Sequence, residues 1–225
     1  AVLCEHVGAD ISEVTLGMGT DPRIGNKFLN AGIGWGGSCF PKDVSALIKI
    51  GKKYSVPLLT VQAGKKANDL IRQNFVEKID SMLGGLSGKV IAVLGLAFKA
   101  NTDDVRESPA LDIIRKMIDK GAVIRATDPV AIPNAKKVIS GTSQITYFSD
   151  PYEAINGADA IVIATPWEQW RKLDFKRVAM LARSKFVFDG RNLLDSDMLR
   201  SLGFTYIGVG KPFKSEMTYQ YSDND

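Results

Sequence analysis

Apolar positions change period once along this chain, near residue 85. Before it they recur at helical spacing: Ile71, Phe75, Ile79 and Leu83 fall four apart and mark one face of a long helix that begins at Pro57. Gly84, Gly85 and Gly88 end it. The chain opens on the last turns of a helix closed by Gly8. A second short helix, capped by Asp10 or Ser12, runs to Gly17 or Gly19, and a third runs from Pro41 to about Lys53. Asp21-Pro22 turns the chain into a glycine-rich loop, Gly25 to Gly37, that separates the second and third helices. After Gly88 the apolar runs are short and continuous: Lys89–Gly95, Val123–Ala126, Ala160–Ala164, Lys185–Phe188 and Thr205–Val209, with a shorter one at Gln144–Tyr147. Such runs suit strands buried on both faces. Helical segments alternate with them, opening at Ser108-Pro109 and covering Pro151–Asn156, Phe175–Ala182 and Met198–Leu202. Alternation of this kind predicts an α/β protein with a doubly wound, mostly parallel Rossmann-like sheet. The reading divides the chain into a helical region over 1–84, a sheet domain over 85–215 and a polar tail over 216–225.

Composition narrows the function classes. The net charge of +4 is spread over short Lys and Arg clusters, too thin for a nucleic-acid stripe and suited instead to small anionic ligands. A single histidine, His6, argues against a histidine metal site and against a Ser/His/Asp triad, so no metal is expected. Two cysteines do not make a disulfide framework, and a reducing, cytoplasmic setting is the expectation. No apolar run reaches membrane-spanning length, and no signal peptide is expected. The chain has no initial Met, and is read as the later part of a longer protein.

The densest chemistry is Gly36-Gly37-Ser38-Cys39-Phe40-Pro41-Lys42-Asp43. Pro41 suits the start of a helix, which puts Cys39 ahead of unpaired N–H groups and the positive end of the helix dipole. That placement and the Lys42 charge favour the thiolate, and Asp43 returns to the same side one turn later, where it can hold a water or a proton. A structural cysteine beside a glycine turn is the alternative. Three strand ends carry further groups. Gly95-Leu96-Ala97 has one glycine where a dinucleotide fingerprint needs three, and beyond it lie Lys99 and Arg106, candidates for phosphate or carboxylate contacts or plain surface charges. Trp167 follows the strand ending at Ala164 and closes the core or packs on a base. Asp189-Gly190-Arg191 offers a planar guanidinium fork suited to a phosphate or sugar. Asp128 reads as a turn cap, and Asp103-Asp104 as structural. Arg23, at a loop tip, is exposed or reaches across a subunit interface.

These motifs, together with Arg23-Ile24-Gly25-Asn26-Lys27-Phe28 and Thr102-Asp103-Asp104-Val105-Arg106-Glu107-Ser108, resemble in their order the UDP-glucose/GDP-mannose dehydrogenase family, most of all its UDP-glucose branch. The resemblance implies an N-terminal NAD-binding domain, a central helical dimerisation region and a C-terminal domain holding the UDP half of the sugar nucleotide. The chain is similar only to the second and third, so NAD binding and turnover by it alone are not expected. By position, Cys39 is similar to the family nucleophile and Asp43 to its water-orienting or proton-transferring carboxylate. Asn30 to Gly36 resembles the loop along the sugar nucleotide, with Phe28 beside it; Lys99 and Arg191 look like sugar-phosphate contacts, and Arg23 like a residue given by the neighbouring subunit. Lys42 and Arg106 are similar to residues on the NAD side of the cleft. The implied partners are UDP-glucose and a second copy of the chain, docked through the long helix, with no nucleic acid and no membrane. The implied reaction is oxidation of UDP-glucose to UDP-glucuronate through a thiohemiacetal and a thioester on the cysteine. A GDP-mannose or other nucleotide-sugar 6-dehydrogenase is the rival within the family. A non-catalytic nucleotide-sugar-binding or dimerisation fragment is the rival outside catalysis.

Overall fold

Continuous apolar runs become strands where helices cover both faces of the sheet they form. In the computed structural model, which describes residues 1–212, six strands fulfil this: β1 (Val90–Leu94), β2 (Val123–Thr127), β3 (Ile145–Tyr147), β4 (Ala160–Ile163), β5 (Phe186–Asp189) and β6 (Thr205–Gly208). The sheet has the order β3-β2-β1-β4-β5-β6 and every pairing is parallel. The predicted polar tail, and the last residues of the predicted 85–215 unit, lie outside the described residues.

The pleat explains why β1 had to be apolar throughout. Ile91 and Val93 enter the core on one face of the sheet, and Ala92 and Leu94 the core on the other. Burial of each larger aliphatic side chain contributes about 1.5–3 kcal/mol. Helices α1 (Val2–Val7), α2 (Ile11–Gly19), α3 (Phe40–Lys53) and α4 (Leu59–Met82) precede the sheet. The stripe read on the long helix is spent within the chain. Phe75, Val76 and Ile79 of α4 are buried in the first core with Leu111 and Ile114 of α5 (Pro109–Asp119), and Ile71 and Leu83 pack at its edge. The two ends of the described chain are joined by charge. Glu5 accepts from Lys78 Nζ at 2.6 Å and from the Gly210 amide at 2.7 Å, and Asp10 pairs with Lys211 Nζ at 2.8 Å.

Two elements were not foreseen, α6 (Ile132–Val138) and a 3₁₀ turn at Glu168–Lys172; α7 (Pro151–Ile155), α8 (Phe175–Leu181) and α9 (Ser196–Ser201) lie where helical segments were read. Asp128 sets up α6. Its Oδ1 accepts from the amides of Val130 and Ala131, and its Oδ2 from the amides of Leu96 and Ala97 and from Trp167 Nε1. The turn-cap reading therefore holds, and the carboxylate also ties β1's exit to β2's. Asp128→Asn presents an NH2 to at least two of these donors, whichever way the amide turns. It is expected to cost about 2–4 kcal/mol and lower Tm by roughly 5–15 °C in a thermal melt, whereas a change within about 2 °C would show the network to be dispensable.

Candidate active site

Cys39 stands at the N-cap of α3, with Pro41 in the first turn where its missing N–H costs nothing. The thiol is exposed, and Ser38 Oγ lies 3.6 Å from Sγ. The Asp43 amide donates to the Cys39 carbonyl at 2.9 Å, so the helix begins at the cysteine. Asp43 and Lys42 form an exposed ion pair at 3.1 Å. Lys42 is held above the usual lysine range, chiefly by its hydrogen bond to Asp43 and more weakly by a charged Cys39 sulfur. Arg106 is raised in the same sense, first by its fork on Asp104 and last by the same sulfur. The thiol therefore lies within electrostatic reach of both cations.

The loop that carries it is bonded to the sheet domain. The Ile33 amide donates to Gly190 O at 2.9 Å and the Gly37 amide to Arg106 O at 3.0 Å. Gly36 lies so close to the Glu107 carbonyl that a Cβ would overlap it. Gly34 has φ +93°, and a Cβ there would stand 2.5 Å from Asn68 Oδ1. These two positions need glycine, one for space and one for both space and conformation. The loop thus rests on the carboxyl end of β5, where a parallel sheet of this kind binds ligands.

A cavity of about 470 Å³ opens at the start of α3. Lys42, Lys65, Arg72 and Arg106 bring positive charge to it, with Trp35 and Asn68 in its wall. Of the residues singled out from sequence, Lys42 and Arg106 line this cavity; Cys39 and Asp43 are not in its wall, Cys39 following its Ser38 in the chain and Asp43 paired with its Lys42. Arg191 is half-buried and held by the loop: its Nε donates to Ala164 O at 2.8 Å and its Nη1 to Gly34 O at 2.9 Å, while Nη2 is sealed from solvent with no partner. Burial, then the Arg72 charge, pushes Arg191 down to about 10. Lys99 is exposed, its Nζ 5.3 Å from the Phe98 ring. Asn30 is exposed, Phe28 fully so, and Arg23 forks onto Asp21 at the loop tip. Sequence reasoning missed Trp35, Asn68 and Arg72.

The usual dinucleotide crevice of the sheet domain is closed. Asp128, where a ribose-binding acid would sit, is fully spent on its own chain; Ser108 Oγ bonds Leu96 O and Thr165 Oγ1 bonds Ala97 O across the same turn. The cavity beside Ser38 sets four cationic side chains, Lys42, Lys65, Arg72 and Arg106, among the acidic Asp69 and Glu107. Among the described residues no cluster of three or more His, Cys, Asp or Glu could hold a metal, and no helix is long and apolar enough to cross a membrane.

The central-domain model of the UDP-glucose/GDP-mannose dehydrogenase family matches residues 1–70, and the family's UDP binding domain matches residues 92–196. A UDP-glucose 6-dehydrogenase of Bacillus subtilis is 43% identical over 212 residues, which are 94% of this chain and 46% of that protein. One from Rickettsia typhi is 43% identical over 211 residues, 93% of this chain and 48% of that protein. The solved UDP-glucose dehydrogenase of the archaeon Pyrobaculum islandicum superposes with a TM-score of 0.82 at 36% identity, over 93% of this chain and 45% of that one. The chain spans about half the length of the relatives it matches. With two models of one family covering its helical and sheet parts, and its thiol loop seated between them, the chain belongs to the UDP-glucose/GDP-mannose dehydrogenase family.

Proposed function

We propose that this chain is the thiol-bearing and sugar-nucleotide-binding part of an NAD-dependent UDP-glucose 6-dehydrogenase. The observation that carries the reading is the joint between the two parts: the loop leading to Cys39 is hydrogen-bonded to Gly190 and Arg191 at the carboxyl end of β5. A ligand held at that strand end reaches the thiol. Arg191 brings the positive charge at this strand end for anion recognition, and Lys99 adds an exposed one. NAD, when bound, supplies the hydride acceptor for both oxidations; Lys42 and Arg106 line the side of the cavity suited to it.

The chain's own work is covalent retention. The Cys39 sulfur adds to the C6 aldehyde, giving a thiohemiacetal, and holds the sugar through the acid oxidation level as a thioester. Water then breaks the C–S bond, releasing the carboxylate and the thiolate. Sulfur suits both roles because it is a good nucleophile and a good leaving group. Asp43, one turn along α3, holds that water or takes its proton. A homodimer in a reducing compartment completes the reading. Exposed Leu47 and Ile50 on α3, Tyr54 and Val56 in the connection after it and Leu59 at the start of α4 give a partner apolar surface, where the second half of α4 turns its large apolar side chains into the core.

The purified chain, titrated with UDP-glucose by calorimetry and then given NAD, is expected to bind the sugar nucleotide and form no NADH at 340 nm. No binding at concentrations on the order of 1 mM would remove the reading, and sustained NADH formation would show that the chain needs no further domain.

A further inference from the structure

Two arginines, Arg72 buried and Arg191 half-buried, grip neighbouring carbonyls of the thiol loop. Arg191 Nη1 donates to Gly34 O at 2.9 Å from the sheet domain. Arg72 Nη2 donates to Trp35 O at 2.5 Å from α4. One turn before Arg72, Asn68 makes a two-way pair with the same residue: the Trp35 amide donates to Oδ1 at 2.8 Å, and Nδ2 donates to Trp35 O at 3.2 Å. Asn68 is 6% exposed and Arg72 7%, both far below the norm for such side chains. Arg72 also leaves its Nε sealed without a partner, and its one counter-charge, Asp112, stands 3.5 Å from Nη1.

Burying two like charges on one loop is unfavourable: the Arg72 charge is among the causes that lower Arg191. An apolar pair would pack α4 against the loop at less cost. What the polar pair adds is direction, because hydrogen bonds to the N–H and C=O of one residue fix the two peptide planes that flank it, where packing only fixes a distance. The fixed residue lies four positions before Cys39, and the intervening Gly37 is itself bonded to Arg106 O.

We propose that Asn68 and Arg72 are positioning residues for Cys39: they hold the Trp35 peptide against the pull of Arg191 on Gly34, and so set where the thiol stands at the head of α3. This rests on reading Cys39 as the nucleophile. Neither side chain touches the sulfur, so the effect is exerted through the loop.

The test uses alkylation of the chain by iodoacetamide, in which buried Cys4 serves as an internal reporter of folding. In Arg72→Gln and Asn68→Ala the rate at Cys39 is expected to fall at least about fivefold while Cys4 stays protected, and the Gly37 amide is expected to exchange faster by a similar factor. Arg72→Lys, which keeps a donor for Trp35 O, is expected to recover part of both. A merely structural role would lower Tm and leave the Cys39 rate and the Gly37 exchange unchanged; that result, with Cys4 protected, overturns the proposal. Where Arg72→Gln exposes Cys4, Asn68→Ala and Arg72→Lys carry the decision. If the native thiol reacts no faster than free cysteine, the nucleophile reading fails separately, and Gly37 exchange alone decides whether the clamp exists.

Discussion

Under the proposed function, Cys39→Ser is expected to reduce net conversion of UDP-glucose to the acid by at least about a thousandfold in kcat, measured with the chain completed by an NAD-binding domain. A hydroxyl at the head of α3 is a weak nucleophile at neutral pH, and its ester would be a poorer acyl donor to water than a thioester. The substitution should leave everything else intact. Cys39 caps α3 without a side-chain hydrogen bond to the helix, and its thiol is exposed, so stability should change by no more than about 0.5 kcal/mol. UDP-glucose affinity should therefore persist, since the groups proposed to bind it lie on β5's exit and the loop backbone. The measurement pairs NADH formation with chromatography of the sugar product. Acid formed within about tenfold of the native rate would show that the sulfur carries no intermediate.

Much of this molecule is legible in its residues because burial on both faces of a sheet leaves no room for a polar choice. Val90–Leu94 and Ala160–Ile163 announce themselves as runs, and the parallel order follows from their alternation with helices. Helix α6 does not announce itself. Its seven residues include Pro133 and offer only Ile132 and Ala135 to the core, too short a stripe to read, and its start depends on Asp128, a residue outside it that takes the Val130 and Ala131 amides. The thiol site shows the same split. Cys39, Lys42, Asp43 and Arg106 are readable because glycines, a proline and charges crowd two short motifs. Asn68 and Arg72 hide on an amphipathic helix, where a polar residue reads as a solvated face. One signal was there to find. Asn68, Arg72, Phe75, Val76 and Ile79 continue a single helical face, so two polar groups stand on the stripe that goes inward. Arg191 was legible as a fork but not as a half-buried one, since its depth is set by Gly34 and Ala164, which come from two distant segments.

The same substitution at two glycines is expected to have opposite outcomes. Gly64 lies inside α4 with nothing within 4 Å of a Cβ built on it, so Gly64→Ala should stabilise the chain by about 0.5–1 kcal/mol through the lower entropy of its unfolded state. Gly36 has a φ outside the left-handed region, so its backbone would accept alanine; only the space is wanting. The methyl would overlap Glu107 O and come within 2.9 Å of Pro109 Cδ. Those atoms cannot retreat. Ser108 between them is buried and bonded through Oγ to Leu96 O at 2.8 Å, and Pro109 begins α5 in the core. The loop must therefore lift from the sheet domain, stretching Gly37 N from Arg106 O and moving Cys39 with it. Overlap of this size costs roughly 1–3 kcal/mol of stability, and a displacement of the thiol by about 1 Å costs on the order of a hundredfold in kcat. Chemical denaturation of both variants, beside turnover of the completed enzyme, checks the pair. Gly36→Ala with native turnover would mean that the thiol loop need not rest on Glu107, and that the seat described here is not what places the nucleophile.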